Sequence, residues 1–172
     1  RYQGLTGTCP KLTGEGARSL HVTGDGKVGG STEDTRLRFN TLCFWLFGSN
    51  DRPALDVTVT ISRQDLSGIS PEQNMVNYFQ TMKQRMLDDA TRSPGAVGAP
   101  EPAAGLGDEA FFVLRPGTET VQLLVREDNA AVYLQYVFER TNEKDPAVLL
   151  AKLRQMQPGL RSIVPDVLDD LR

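Results

Sequence analysis

Histidine, cysteine and tryptophan are scarce in this chain: its 172 residues include one His, two Cys and one Trp. Because His21 is the only histidine, any Ser–His–Asp or Cys–His catalytic arrangement would have to include it. Neither cysteine has a second Cys or a His at the spacing of zinc or Cys-x-x-Cys redox motifs. We therefore expect no metal, no cofactor and no catalytic histidine.

Long apolar runs and concentrated charge are also missing. A membrane span needs about 18 consecutive apolar residues, and the chain has no such run. The 19 basic and 22 acidic residues give a net charge of −3 without a basic stripe, so we expect no nucleic-acid partner. The chain begins at Arg1 rather than Met, from which we expect an export or lipid-attachment segment upstream, and membrane contact only through such an anchor.

The two cysteines, Cys9 and Cys43, predict a disulfide bond. The bond would close a loop of about 35 residues, which removes about 3 to 4 kcal/mol of conformational freedom from the unfolded chain. Disulfides persist in oxidising compartments, so the pair indicates an extracytoplasmic location. The alternative is two unrelated free thiols, one of them buried in a strand.

Alternating and apolar segments predict two groups of strands. Residues 37–47 are apolar on both faces, as in a central strand that is covered on each side, and residues 55–62 alternate as a half-buried strand. The turn residues at 48–53 would join these two strands into a hairpin. Three later segments predict an antiparallel meander: residues 108–114, 121–126 and 130–139.

Helical patterns lie before, between and after these strands. A short helix is predicted over residues 10–20, and a second begins with Ser70 as its cap and Pro71 in the first turn. A third begins at Asp145 and is expected to end at the Pro158–Gly159 pair.

The order of these elements predicts one exported α+β domain over residues 1–172. Its single, mainly antiparallel sheet would have about five strands, with helices packed on its faces. Three further segments complete the predicted domain. They are an N-terminal arm at 1–9, a long Pro/Gly/Ala loop at 93–107 and an amphipathic C-terminal tail at 160–172.

Four charged residues form a candidate binding surface. Asp108 and Glu109 lie where the long loop meets a strand, and Arg115 and Arg126 flank the following hairpin. Neighbouring residues of a strand point to opposite faces, so the Asp108–Glu109 pair does not converge as a catalytic pair. No catalytic residue is assigned.

A stripe of apolar side chains follows the second helix at helical spacing. Met75, Phe79, Met82 and Met86 make this face, which could form an apolar pocket against the sheet. The alternative is a helix face that simply packs on the sheet.

Four short motifs remain to be considered: Cys9-Pro10, Leu42-Cys43-Phe44-Trp45, Gly105-Leu106-Gly107-Asp108-Glu109-Ala110 and Val125-Arg126-Glu127-Asp128-Asn129. Together they resemble motifs of actinobacterial exported lipoproteins of unknown function. The resemblance implies bridged cysteines and a lipid-modified cysteine upstream of Arg1. The order of strands and helices also resembles the PsbP-like α/β/α sandwich, which implies a binding or assembly role and carries over no catalytic residue.

The leading hypothesis is a non-enzymatic binding or assembly module of the bacterial cell envelope. It would be secreted or lipid-anchored at the outer face of the cell membrane, and would bind a protein or cell-envelope component through residues 93–109. One alternative is a carrier that holds a small apolar ligand between the sheet and the helix over residues 71–90. Another alternative is a hydrolase with an unrecognised carboxylate pair.

Overall fold

The computed structural model describes residues 1–22, 24–46, 53–65, 67–138 and 142–172, with the side chain of Pro53 excepted. The strands are β1 (Lys11–Leu12), β2 (Gly24–Asp25), β3 (Lys27–Val28), β4 (Glu33–Asp34), β5 (Arg38–Leu46), β6 (Pro53–Ser62), β7 (Glu101–Pro102), β8 (Glu109–Arg115), β9 (Thr120–Glu127) and β10 (Ala130–Val137). The helices are α1 (Glu15–Ser19), α2 (Pro71–Arg92) and α3 (Pro146–Asp169), with a 3₁₀ turn at Pro116–Thr118.

A large antiparallel sheet organises the domain and confirms the α+β class. Its strand order is β3-β5-β6-β10-β9-β8-β7, and β4 also pairs with β5, which makes eight strands in the described part of the chain. The predicted number of about five was too low. The five long strands are those that the sequence predicted, whereas β3, β4 and β7 have two residues each and are too short to show any alternation.

Helices cover both faces of this sheet. Helix α2 packs Phe79 and Met86 on Phe111 and Leu124, and the rings of Phe79 and Phe111 meet edge to face with centroids 5.1 Å apart. Helices α1 and α3 enclose the larger core on the opposite face. The sheet is therefore the middle of three layers.

The start of α2 lies where the sequence predicts it. The Ser70 hydroxyl accepts a hydrogen bond from the backbone N–H of Gln73 at 3.2 Å, and Pro71 occupies the first turn. The cap satisfies one of the backbone N–H groups that a helix leaves unpaired at its N-terminus.

Helix α3 is longer than predicted. It continues through Pro158 and Pro165, so the predicted end at Pro158–Gly159 was wrong and most of the predicted tail belongs to the helix. A proline inside a helix costs about 3 kcal/mol. Burial offsets this cost, because four side chains of the second half are at most 1% exposed: Leu160, Ile163, Val164 and Val167.

The predicted first helix is shorter than expected. Lys11 and Leu12 form β1, which pairs with β2, and the helix itself covers only Glu15–Ser19. Helix α1 packs closely against α3 at a point where a glycine of each helix faces the other. A Cβ atom added to Gly16 would lie 2.6 Å from the carbonyl oxygen of Gly159. The close approach of the two backbones at this crossing therefore requires a residue without a side chain.

The hairpin of β5 and β6 is confirmed, with Phe39 opposite Ile61 and Trp45 opposite Leu55. Of the predicted turn at 48–53, residues 48–52 lie outside the described residues. The prediction that this strand is covered on both faces was wrong. Alternate residues of β5 from Phe39 to Trp45 are buried, but those between them are partly exposed.

The predicted disulfide is present between Cys9 and Cys43, whose Cα atoms lie 5.8 Å apart. Both cysteines are therefore paired, and the free-thiol alternative was wrong. The bond joins the N-terminal arm to the buried face of β5, where Cys43 is fully buried. The bond is consistent with an extracytoplasmic location.

Candidate functional site

Helix α2 crosses its face of the sheet diagonally. Near its start, Asn74 Nδ2 donates to Ser62 Oγ at 3.4 Å, at the last residue of β6. Near its end, Asp89 lies 3.8 Å from the Arg115 guanidinium, at the last residue of β8. Because β6 and β8 run antiparallel to each other, these two contacts lie at opposite ends of the strands. Part of this sheet face beside α2 is partly exposed.

Four side chains form one line across this face. Three of the four are polar, and we call the line the polar row. Strand register places Phe44 of β5 opposite Asp56 of β6, Asp56 opposite Gln135 of β10, and Gln135 opposite Gln122 of β9. Three strand spacings give the row a length of about 14 Å. Gln122 is buried, whereas the other three members are partly exposed, so the row emerges from below α2 toward β5.

Hydrogen bonds organise the inner end of the polar row. Gln122 Nε2 donates to Gln135 Oε1 at 3.0 Å, and the Tyr133 hydroxyl donates to the same oxygen at 3.0 Å. Burial raises the pKa of Tyr133 to about 12, so its phenol remains a donor at neutral pH. Gln122 is 5% exposed, and its Oε1 has no hydrogen-bond partner in the described part of the chain.

Asp56 contributes the carboxyl group of the polar row. Burial raises the pKa of this carboxyl above its ordinary value. No hydrogen bond or ion pair joins Asp56 to any other described residue, although its side chain is partly buried. Partly desolvating an unpaired carboxylate costs free energy, and groups that carry such a cost cluster at functional sites.

Replacing this carboxyl should stabilise the protein at neutral pH. Because the pKa of Asp56 is higher in the folded state, the wild type loses stability as the pH rises from the unfolded pKa through the folded one. We expect Asp56→Asn to have a larger free energy of unfolding than the wild type at pH 7. The gain should shrink below pH of about 4, where carboxyl groups protonate in the unfolded chain as well.

Urea unfolding at pH 7 and pH 3 measures this difference. The matched control is Asp88→Asn, which changes an exposed carboxyl group on α2. Equal stability of Asp56→Asn and the wild type at pH 7 would show that the carboxyl carries no desolvation cost.

At its Phe44 end the polar row reaches an open pocket at the sheet edge. The pocket has a volume of about 380 Å³ and is lined by Phe44, Trp45 and Leu46 of β5, together with His21, Val22, Asp25 and Lys27. Lys27 is the cross-strand partner of Phe44, so it lies at the exposed end of the same line of side chains.

The predicted charged surface is only partly brought together. Asp108 Oδ2 accepts from Arg126 Nη1 at 2.9 Å and from the backbone N–H of Asp128 at 2.8 Å. Glu109 lies beside them and accepts from Gln80 Nε2 at 3.2 Å. Arg115 lies at the other end of β8. Its function as a binding surface stays a prediction.

The apolar stripe of α2 faces the sheet. Met75, Phe79 and Met86 are buried and Met82 is partly buried. Phe79, Met82 and Met86 belong to one cluster with side chains of β8 and β9. These contacts are those of a helix face packed on a sheet, and the carrier hypothesis stays a prediction.

The sequence analysis did not find the polar row. Asp56 was visible as a polar residue of an alternating strand, and Gln122 as a polar residue among apolar ones. Their alignment with Gln135 depends on the register of the β9–β10 hairpin and on the pairing of β10 with β6, which is distant in the sequence. The signal available in the sequence was a polar residue, Gln122, within an otherwise apolar strand, because Gln is seldom found in such positions.

Comparisons of the chain with protein-family models, curated proteins and solved structures found no match. Within the described residues, no group of three or more His, Cys, Asp or Glu side chains is placed to hold a metal ion. None of the described helices is both long enough and apolar enough to cross a membrane.

Proposed function

We propose that this protein is a non-enzymatic extracytoplasmic binding module of the bacterial cell envelope, secreted or anchored through lipid at the outer face of the cell membrane. The observation that carries the binding function is the polar row, whose partly exposed members Asp56 and Gln135 lie side by side on one sheet face, with the Asp56 carboxyl unpaired among the described residues. The Cys9–Cys43 disulfide supports the location.

The sheet holds the side chains of the polar row at fixed spacings, as a binding surface requires. The members of the polar row come from four adjacent strands of the sheet, and groups on a paired sheet keep their spacing better than groups on loops. The row combines one carboxyl with two amides, next to the Tyr133 phenol. These groups orient a polar partner by hydrogen bonds, whereas glycosidic hydrolysis uses two converging carboxyl groups.

Cosedimentation tests this function. The oxidised protein is mixed with purified actinobacterial cell envelopes that contain wall polymer and membrane proteins, and the pelleted fraction is measured. We expect the wild type to pellet, and Gln135→Ala to pellet at least five-fold less, because Gln135 is the central amide of the polar row. Gln155→Ala, at an exposed position on α3, is the matched control and should pellet like the wild type.

Two outcomes contradict the proposal. A wild-type protein that stays in the supernatant does not bind the envelope. Equal pelleting of the wild type and Gln135→Ala would place the binding surface away from the polar row.

A further inference from the structure

We propose that the sheet face around Asp56 binds an arginine side chain of a protein partner. The inference rests on the proposed binding function and names the chemistry of the partner. The residues that carry it are the accessible ones on β5, β6 and β10.

Six partly exposed side chains form a patch beside α2, which we call the open patch. Each of the strands β5, β6 and β10 contributes two of them, and strand register aligns them in two rows of three. The members are Phe44, Asp56 and Gln135 in one row and Leu42, Thr58 and Tyr133 in the other. Opposite side chains of paired strands lie about 5 Å apart at Cβ, so the Asp56 carboxyl has the Phe44 ring on one side and the Gln135 amide on the other.

Asp56 is the only charged residue of the open patch. No hydrogen bond or ion pair joins its carboxyl to another described residue. Its neighbours in the patch include two aromatic rings and a leucine, which solvate a negative charge poorly. A carboxylate in such surroundings gains from a cation that brings its own hydrogen-bond donors. The charge of the open patch therefore favours a positively charged group over a neutral or anionic one.

The aromatic neighbours favour arginine over lysine. A guanidinium is planar, so its edge donates two parallel hydrogen bonds to a carboxylate while its faces stack on aromatic rings. Phe44 is the direct cross-strand neighbour of Asp56, and Tyr133 is a diagonal one. An ammonium is more strongly hydrated, so it loses more on entering a partly apolar surface. Small free cations bind in concave sites that bury most of their surface, whereas the open patch is a face of a sheet, which suits a side chain carried by a protein.

Gly29 gives Leu42 and Phe44 room at the edge of the sheet. It lies on the side of β5 away from β6, where its backbone N–H donates to the Leu42 carbonyl oxygen at 2.8 Å. A Cβ atom added to Gly29 would lie 3.1 Å from Leu42 Cδ2 and 3.2 Å from Phe44 Cδ1. The two side chains therefore pack over this glycine, and the carboxyl of Asp56 on the other side of β5 stays partly exposed.

The positive charges nearest to the polar row leave Asp56 available. Arg115 lies 3.8 Å from Asp89, on a strand three positions from β6 in the sheet. Lys27 is the cross-strand partner of Phe44, two strand spacings or about 10 Å from Asp56. This separation exceeds the Debye length of about 8 Å in physiological salt, so the exposed Lys27 opposes a cation at Asp56 only weakly.

NMR titration of the oxidised protein tests the inference. The probe is a blocked tripeptide with arginine between two leucines, and it is compared with the same peptide carrying citrulline, a neutral isostere of arginine, or lysine. We expect the arginine peptide to bind with a millimolar dissociation constant and to shift the backbone ¹H–¹⁵N signals of Phe44, Asp56 and Tyr133. The citrulline peptide should bind about five-fold more weakly, because it lacks the charge. The lysine peptide should bind about two-fold more weakly, because its ammonium stacks less well and is more strongly hydrated.

Three variants connect this binding to the open patch. Asp56→Asn removes the charge and keeps the shape, so it should weaken binding of the arginine peptide about five-fold. Asp88→Asn, at an exposed position on α2, is the matched control and should bind like the wild type. Phe44→Leu removes the ring and retains an apolar side chain, so it should make the affinities of the arginine and lysine peptides more similar.

Four results of the titration overturn the inference. They are the absence of shifts with the arginine peptide, equal affinity of the wild type for the arginine and citrulline peptides, equal affinity of the wild type for the arginine and lysine peptides, and equal affinity of the wild type and Asp56→Asn for the arginine peptide.

Cosedimentation separates the inference from the proposed function. Phenylglyoxal blocks the arginine side chains of the envelope proteins before they are mixed with the wild type, and acetylation of their lysines is the control. We expect phenylglyoxal alone to lower the pelleted fraction. Equal pelleting with treated and untreated envelopes overturns the arginine partner and leaves the proposed function standing. Binding of the arginine peptide without envelope binding overturns the proposed cell-envelope function alone.

Discussion

Reduction of the Cys9–Cys43 disulfide is expected to lower the free energy of unfolding by about 3 to 4 kcal/mol, the loop-closure contribution of a loop this long. For a domain of this size, the loss corresponds to a fall in Tm of roughly 10 °C. The physical reason is that the bond constrains the unfolded chain over a sequence separation of 34 residues. Thermal unfolding followed by circular dichroism, with and without a phosphine reductant, measures the change.

The double variant Cys9→Ala/Cys43→Ala provides the control. Its Tm should be low and independent of the reductant, because it has no bond to reduce. A wild-type Tm that is the same with and without reductant, after thiol titration has confirmed complete reduction, would contradict the prediction.

The substitution Asn129→Ala is expected to lower the free energy of unfolding by about 2 to 4 kcal/mol. Asn129 is fully buried, and its Nδ2 donates to the carbonyl oxygens of Tyr2 at 2.8 Å and Ser62 at 2.5 Å. Its Oδ1 accepts from the backbone N–H of Tyr2 at 2.7 Å. The variant leaves these backbone groups without their partners.

Asn129→Asp distinguishes hydrogen bonding from loss of volume. Aspartate keeps the shape and the acceptor, but its carboxylate cannot donate to the carbonyl oxygens of Tyr2 and Ser62. We expect it to destabilise the protein at pH 7 at least as much as Asn129→Ala. Urea unfolding gives both values, with Asn77→Ala at an exposed position on α2 as the control, expected within about 0.5 kcal/mol of the wild type. A loss below 1 kcal/mol for both Asn129 variants would contradict this interpretation.

Asn129 also links three separate parts of the fold. It lies between β9 and β10, and through Tyr2 and Ser62 it ties the N-terminal arm to the end of β6. The Tyr2 hydroxyl adds a bond to Glu127 at 2.8 Å. This network and the disulfide at Cys9 hold the two ends of the arm, and between them Leu5 forms a β-bridge with Leu171.

Local patterns were sufficient for much of the secondary structure. The alternation of residues 55–62 predicted β6, and the serine–proline pair at 70 and 71 predicted the start of α2. Such signals are short-range, because side-chain spacing and capping act within a few residues. The same local signals were misleading at Pro158, where burial against α1 stabilises a helix that local preference would end.

The amino-acid sequence alone was sufficient to predict the five long strands and the α+β class and favoured the disulfide, because these depend on local periodicity, on the order of the elements and on a count of two cysteines. The tertiary structure alone decided that α2 crosses the sheet diagonally and that Phe44, Asp56, Gln135 and Gln122 share one line. These four residues come from four strands, and their juxtaposition depends on long-range register that no single segment encodes.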